Sequence, residues 1–125
     1  MSKSAQDFLS EANSVVPSIA VGEALSLINS GKAVVIDVRD GKEIDQSGTV
    51  KNALRIPRGM IEFVADPTSS FYNDQISNDK EILVICGAGG MAALTGKTLM
   101  EMGYTNVHNI GGFSAWKDAG GPTED

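Results

Sequence analysis

Two apolar runs, Ala33-Val34-Val35-Ile36 and Ile82-Leu83-Val84-Ile85, constrain the fold of this chain more than any other feature, because neither alternates with polar residues. A strand that is apolar on both faces must be covered on both, which is the pattern of a parallel sheet with helices on each side. The second run delivers the chain's one cysteine, Cys86, into Gly87-Ala88-Gly89-Gly90-Met91-Ala92, just ahead of a helical pattern. A chain that ends a buried strand, curls through small residues and then starts a helix aims successive amides at the side chain it encloses. Backbone N–H groups and the positive end of a helix stabilise negative charge, so this loop favours a thiolate at Cys86. Free cysteine is also a common core residue. A cysteine that only filled space would not require three glycines in the next four positions, and that points to a reactive thiol.

Strand and helix patterns alternate along the chain, which predicts the α/β class. Ser4-Ala5-Gln6-Asp7 followed by Phe8, Leu9 and Ala12 reads as a short helix with Ser4 as N-cap, closed by Pro17. A second helix over 21–29 places Val21, Ala24, Leu25 and Ile28 on one face, and Ser30-Gly31 stops it. Further helices are predicted over 60–64, 90–102 and 113–118, a short extended piece over 53–56, and a third strand over 107–110. Residues 40–48 read as a polar stretch and 66–78 as a surface loop. The length suits one domain, taken as residues 16–125, with residues 1–15 as an N-terminal helical extension.

Ten Lys+Arg against sixteen Asp+Glu give a net charge of −6, which leaves no broad basic surface for nucleic acid or an anionic membrane. No apolar run is long enough to span a bilayer, and Asp7 interrupts the segment where a secretion signal needs an apolar core, so a cytoplasmic protein is expected. One cysteine forms no internal disulfide, and one histidine beside it makes no metal-ligand cluster; neither metal nor cofactor is expected.

Three segments together carry a family resemblance. The first is Ala33-Val34-Val35-Ile36-Asp37-Val38-Arg39-Asp40 with Glu43, continued by Ser47-Gly48-Thr49-Val50-Lys51-Asn52-Ala53 up to Ile56-Pro57. The cysteine loop is the second. The third runs from Gly103-Tyr104-Thr105-Asn106-Val107 through Gly111-Gly112-Phe113-Ser114-Ala115-Trp116 to Gly120-Gly121-Pro122. In this order and spacing the chain resembles a single-domain rhodanese-like protein over about residues 16–122. The resemblance implies a three-layer fold: a parallel sheet of about five strands flanked by helices, with the cysteine loop at the carboxyl end of the central strand. It also implies sulfurtransferase chemistry, with Cys86 taking a sulfane sulfur as a persulfide, held by the amides of Gly87, Ala88, Gly89, Gly90, Met91 and Ala92, and passing it to an acceptor.

The loop departs from that pattern in its charge. Met91 stands where many members carry arginine, and Gly87 follows the cysteine where arginine is often found. Without a guanidinium to pair with sulfonate oxygens, weak use of thiosulfate is expected. The expected partners are a polysulfide, a small persulfide or a persulfide-bearing protein, and the oligomeric state is left open. Arg58, after Ile56-Pro57, is a candidate for the pocket rim, by resemblance; Asp37 and Arg39 read as structural residues near the site, and Glu43 as a local cap or pair. His108 reads as a satisfied or exposed histidine, and Trp116 with Phe113 as helix packing. Two other functions stay open. One is a binding or redox-sensing module that keeps the fold without turnover. The other is a cysteine phosphatase or arsenate reductase, disfavoured because Ala92 occupies the place of the phosphate-clamping arginine.

Overall fold

A computed structural model describes residues 2–125. Residue 1, the first of the expected extension, lies outside the described residues. The two apolar runs form β1 (Ala33–Asp37) and β4 (Glu81–Cys86), paired in parallel from Ala33↔Glu81 to Asp37↔Ile85. Flanking them are β3 (Leu54–Arg55) beside β1 and β5 (Val107–Gly112) beside β4, giving a parallel sheet ordered β3-β1-β4-β5. The sheet thus holds four strands where about five were expected. At the free edge of β5, Ser18 makes a single parallel bridge to Asn109, with Asn109 N donating to Pro17 O at 2.8 Å and Ile19 N to Asn109 O at 3.2 Å. Pro17 has no N–H to give, so this fifth position stays a bridge and not a strand.

Strand parity sorts the core into two layers. Val34 and Ile36 of β1 and Ile82, Val84 and Cys86 of β4 face one side. There they meet Ile61 of α4 (Ile61–Val64) and Ala92 and Leu99 of α5 (Gly90–Glu101). Val35, Leu83 and Ile85 face the other side, against Ala24 of α2 (Val21–Asn29) and Phe113 and Trp116 of α6 (Phe113–Asp118). The first helix, α1 (Ala5–Val15), has Ser4 as its N-cap as predicted and completes a capping box: Asp7 N donates to Ser4 Oγ at 3.1 Å and Ser4 N to Asp7 Oδ2 at 2.8 Å. It packs across the outside of α5. No helix among the described residues is long and apolar enough to cross a membrane.

Three stretches differ from the sequence reading. The polar stretch after Asp40 is a helix, α3 (Gly41–Ser47), capped by Asp40 Oδ1 accepting from Lys42 N at 2.8 Å and anchored by Ile44, its one buried residue. A single apolar residue in seven gives no periodicity to read. The segment 66–78 is not wholly surface: Ile76 is fully buried, and the Tyr72 hydroxyl holds its carbonyl at 3.0 Å. Finally, β2 (Thr49–Val50) and β6 (Thr123–Glu124) form an antiparallel ribbon outside the main sheet, each too short to leave a pattern.

Two helical glycines make opposite predictions. A Cβ on Gly96 of α5 would lie 2.8 Å from Val16 Cγ1, whereas one on Gly22 of α2 would meet nothing within 4 Å. In urea unfolding, Gly96→Ala is expected to lose about 1–3 kcal/mol through overpacking against a stiff β-branched neighbour. Gly22→Ala is expected to gain roughly 0.5 kcal/mol through helix propensity.

Candidate active site

Cys86 ends β4 on the same face as Ile82 and Val84, so the alternation of the strand turns its side chain toward the start of α5. There Sγ accepts two backbone N–H groups of its own loop, from Gly89 at 3.0 Å and from Ala92 at 3.2 Å. Ala92 lies in the first turn of α5, whose amides have no helical partner and carry the positive end of the helix. Gly89 reaches its place only with φ at +98°, a left-handed conformation that glycine adopts without strain. The loop therefore surrounds the sulfur with neutral dipoles. Cys86 is only 1% exposed.

The end of β5 closes the cage from the side. Asn109, a buried polar residue that the sequence reading did not single out, donates from Nδ2 to Gly89 O at 3.0 Å and accepts from Gly111 N at Oδ1 at 2.7 Å. Register shifts between β4 and β5 so that Cys86 sits opposite Gly112. A Cβ on Gly112 would fall 2.3 Å from Gly87 O, so this strand end touches the loop backbone directly. The glycine pair at 111–112 was the signal for this close approach; only the fold shows that its neighbour is the cysteine loop.

Asp37 and Arg39 meet beneath the site as a buried pair. Arg39 donates from Nη2 to Asp37 Oδ2 at 2.8 Å and from Nε to both carboxylate oxygens at 3.1 and 3.2 Å. The other face of the guanidinium holds Gly48 O at 2.8 Å and Ser47 Oγ at 2.9 Å. Thr49 Oγ1 gives Asp37 Oδ2 a further hydrogen bond of 2.7 Å, and the Phe113 ring lies 4.5 Å from the guanidinium carbon. Burial pulls the Arg39 pKa down, but the hydrogen bonds and charge of Asp37, joined by Glu43, more than reverse this and hold it above the ordinary arginine value. Glu43 pairs with Arg39 Nη1 at 3.7 Å, and its Oε2 also lies 3.6 Å from the position of a Cβ on Gly87. An exposed carboxylate therefore stands beside the first residue of the loop.

Arg58 lies on a groove of about 710 Å³ that also includes Gly90 and Met91 of the loop. Its guanidinium is held by Glu62 at 3.2 Å and by Thr98 Oγ1 at 3.0 Å. His108 stands apart, with Nε2 3.2 Å from Glu81 Oε2 and a buried Nδ1 that has no partner. No group of three or more potential metal-ligating side chains occurs among the described residues.

A parallel sheet with a cysteine loop at the carboxyl end of an inner strand defines an α/β protein whose chemistry sits at the strand ends. Residues 20–119 match the rhodanese-like domain family, and the chain belongs to it. Over 91 residues it is 34% identical to the adenylyltransferase and sulfurtransferase UBA4 of Candida albicans, covering 72% of this chain but only 20% of that protein. Over 104 residues it is 30% identical to the thiosulfate sulfurtransferase GlpE of Coxiella burnetii, covering 82% of this chain and 88% of the relative. Among solved structures, a protein of unknown function from Rhodopseudomonas palustris, described as a possible tyrosine phosphatase, superposes with a TM-score of 0.90 at 37% identity, covering 99% of this chain and 96% of that one.

The contacts at Gly112 and Asn109 make the cage sensitive to small changes. Gly112→Ala is expected to cost about 1–3 kcal/mol in chemical denaturation, because the obstacle is backbone and not a movable side chain. Asn109→Ala is expected to cost a similar ~1–3 kcal/mol by stranding the Gly89 carbonyl. Gly59→Ala, with nothing within 4 Å of its Cβ position, is the control and should stay within about 0.5 kcal/mol.

Proposed function

We propose that the protein is a sulfurtransferase or persulfide carrier in which Cys86 is the nucleophile. The observation that carries this reading is the pair of amide hydrogen bonds from Gly89 and Ala92 to Cys86 Sγ, in a chain whose relatives include sulfurtransferases. In the first step the Cys86 thiolate attacks a sulfane sulfur; the Sγ–S bond forms, the donor's S–S bond breaks, and the donor leaves with the electron pair. The amides of 87–92 then face a persulfide anion in place of the thiolate, as an oxyanion hole faces developing charge. An acceptor nucleophile attacks the outer sulfur and returns Cys86 to the thiolate. No metal or cofactor enters these steps. Residues 16–125 carry the chemistry in this reading and 1–15 form an extension; a free catalytic thiol suits the reducing cytoplasm.

Donor choice follows from the charges around the loop. The Coxiella relative is named for thiosulfate, but residues 87–92 of this chain include no cation, and Glu43 stands at Gly87. Glu43 is exposed even though it pairs with Arg39, and a divalent anion approaching Gly87 gains no cation from residues 87–92. Donors of lower charge, a singly protonated polysulfide, a small organic persulfide or a persulfide-bearing protein, are therefore proposed over thiosulfate. The same feature weakens the phosphatase alternative that the Rhodopseudomonas neighbour raises, because Ala92 cannot clamp phosphoryl oxygens.

Intact-mass spectrometry after exposure to polysulfide, glutathione persulfide or thiosulfate tests the reading. One sulfur is expected to add at Cys86 from the first two, to be removed by cyanide or thiol, and to be absent in Cys86→Ser. Oxidation by peroxide to a sulfenic acid with no stable persulfide from any donor would instead support the redox-sensing module. Phosphate release from an aryl phosphate, lost in Cys86→Ser, would support the phosphatase.

Restoring charge should restore thiosulfate use. Met91→Arg combined with Glu43→Gln is expected to raise kcat/KM for thiosulfate about tenfold or more, the range of a charge-assisted hydrogen bond. The rate with a neutral trisulfide should change far less, and equal gains for both donors would refute the electrostatic account.

A further inference from the structure

Resting on the persulfide reading above, we propose that the groove between α1 and α5 is the donor site. Its occupant is a small organic persulfide whose carbon body is apolar.

The groove reaches the cysteine loop, because Gly90 and Met91 are part of its lining. From there its walls are Leu94 on α5 and Phe8 and Leu9 on α1. Helix α1 thus touches the reactive loop: Leu9 Cδ2 lies 3.4 Å from the Cβ position of Gly90. A helix that the sequence presents as a peripheral extension is here one wall of the groove that opens on the loop. Two of its large apolar side chains remain uncovered, Phe8 at 48% and Met91 at 39% exposure. Uncovered apolar surface that converges on a reactive loop is suited to an apolar ligand.

Charge selects the same occupant. The groove's cations are already matched: Arg58 is held by Glu62 and Thr98, and Lys97 lies 2.6 Å from Glu101. With no cation among residues 87–92 and both groove cations already paired, an inorganic dianion gains little there. A volume of about 710 Å³ also far exceeds what thiosulfate fills, and lies within the ~300–1,000 Å³ of small-molecule pockets. The reaction is a balanced exchange without an external oxidant. The Cys86 thiolate attacks the outer sulfur of R–S–SH, the Sγ–S bond forms as the donor's S–S bond breaks, the outer sulfur keeps its proton, and R–S⁻ departs with the electron pair. The groove holds R while this occurs.

The test is a homologous series of alkyl persulfides from methyl to hexyl. The rate of sulfur addition at Cys86 is read by intact mass and divided by each donor's rate with free cysteine. The normalised rate is expected to rise about two- to fourfold per added methylene until the groove is filled. Phe8→Asp, an exposed position that leaves the core untouched, should flatten the series, whereas Phe71→Asp, at an exposed phenylalanine outside the groove lining, should keep it steep. Equal rates for all chain lengths with Cys86 still gaining sulfur, or an undiminished slope in Phe8→Asp, would overturn the groove assignment and leave the persulfide reading intact. No sulfur addition from any donor to the folded protein would overturn that reading, and the groove assignment with it.

Discussion

The buried ion pair between Asp37 and Arg39 is the contact on which the layout of the site depends. Taking a guanidinium and a carboxylate out of water is expensive, and the expense is offset only when nearly every donor and acceptor has a partner. Here the partners come from separate elements: Arg39 binds the carbonyl of Gly48 and the hydroxyl of Ser47 at the end of α3, and Asp37 takes the hydroxyl of Thr49. The pair therefore joins the end of β1 to the α3–β2 junction. Phe113 stacks on the guanidinium and brings the start of α6 to the same point. Glu43, projecting from α3 toward the cysteine loop, owes its position to this arrangement, because its nearest cation is Arg39. A pair that never touches the sulfur thus sets the charge beside Gly87 of the cysteine loop.

Cys86 itself depends on strand parity and on one tight approach. Because Ile82 and Val84 face α5, so does residue 86, and a shift of one residue in β4 would turn the sulfur to the α2 side, away from the helix whose Ala92 amide reaches it. The loop is then held from behind: Gly112 lies against Gly87, and Asn109 grips the Gly89 carbonyl. These contacts fix the amides of Gly89 and Ala92 around the sulfur, the preorganisation on which the proposed transfer would draw.

Much of this was legible in the sequence, and the exceptions share a cause. The two apolar runs gave the parallel pair, because a strand apolar on both faces has few other homes. The glycines after Cys86 gave the loop, because only a sharp turn requires them. What stayed hidden depends on partners distant in sequence. Asn109 looks like an ordinary strand residue until the fold sets it beside Gly89, and β6 has meaning only against β2, more than seventy residues earlier. Helix α3 escaped notice because it is anchored by Ile44 and a capping aspartate and not by an apolar stripe. Asp37 and Arg39 read as structural residues near the site by resemblance, and their pairing with each other is visible only in the fold. The reach of Glu43 to Gly87 was not, because it depends on where α3 lies.

The absence of arginine from the loop separates two tasks that the cysteine environment performs. Stabilising a thiolate or a persulfide requires dipoles aimed at one sulfur atom, and the amides of Gly89 and Ala92 supply them whatever the neighbouring side chains are. Recognising thiosulfate or a phosphoryl group requires cations placed around several oxygens, and that is what Met91 and Ala92 do not provide. Sulfur transfer from an organic persulfide needs only the first task, since the charge that develops sits on a single departing thiolate. Phosphoryl transfer needs both, because its charge is spread over three oxygens. A loop that keeps its amides and lacks its cations therefore narrows the chemistry toward donors that bring little charge of their own.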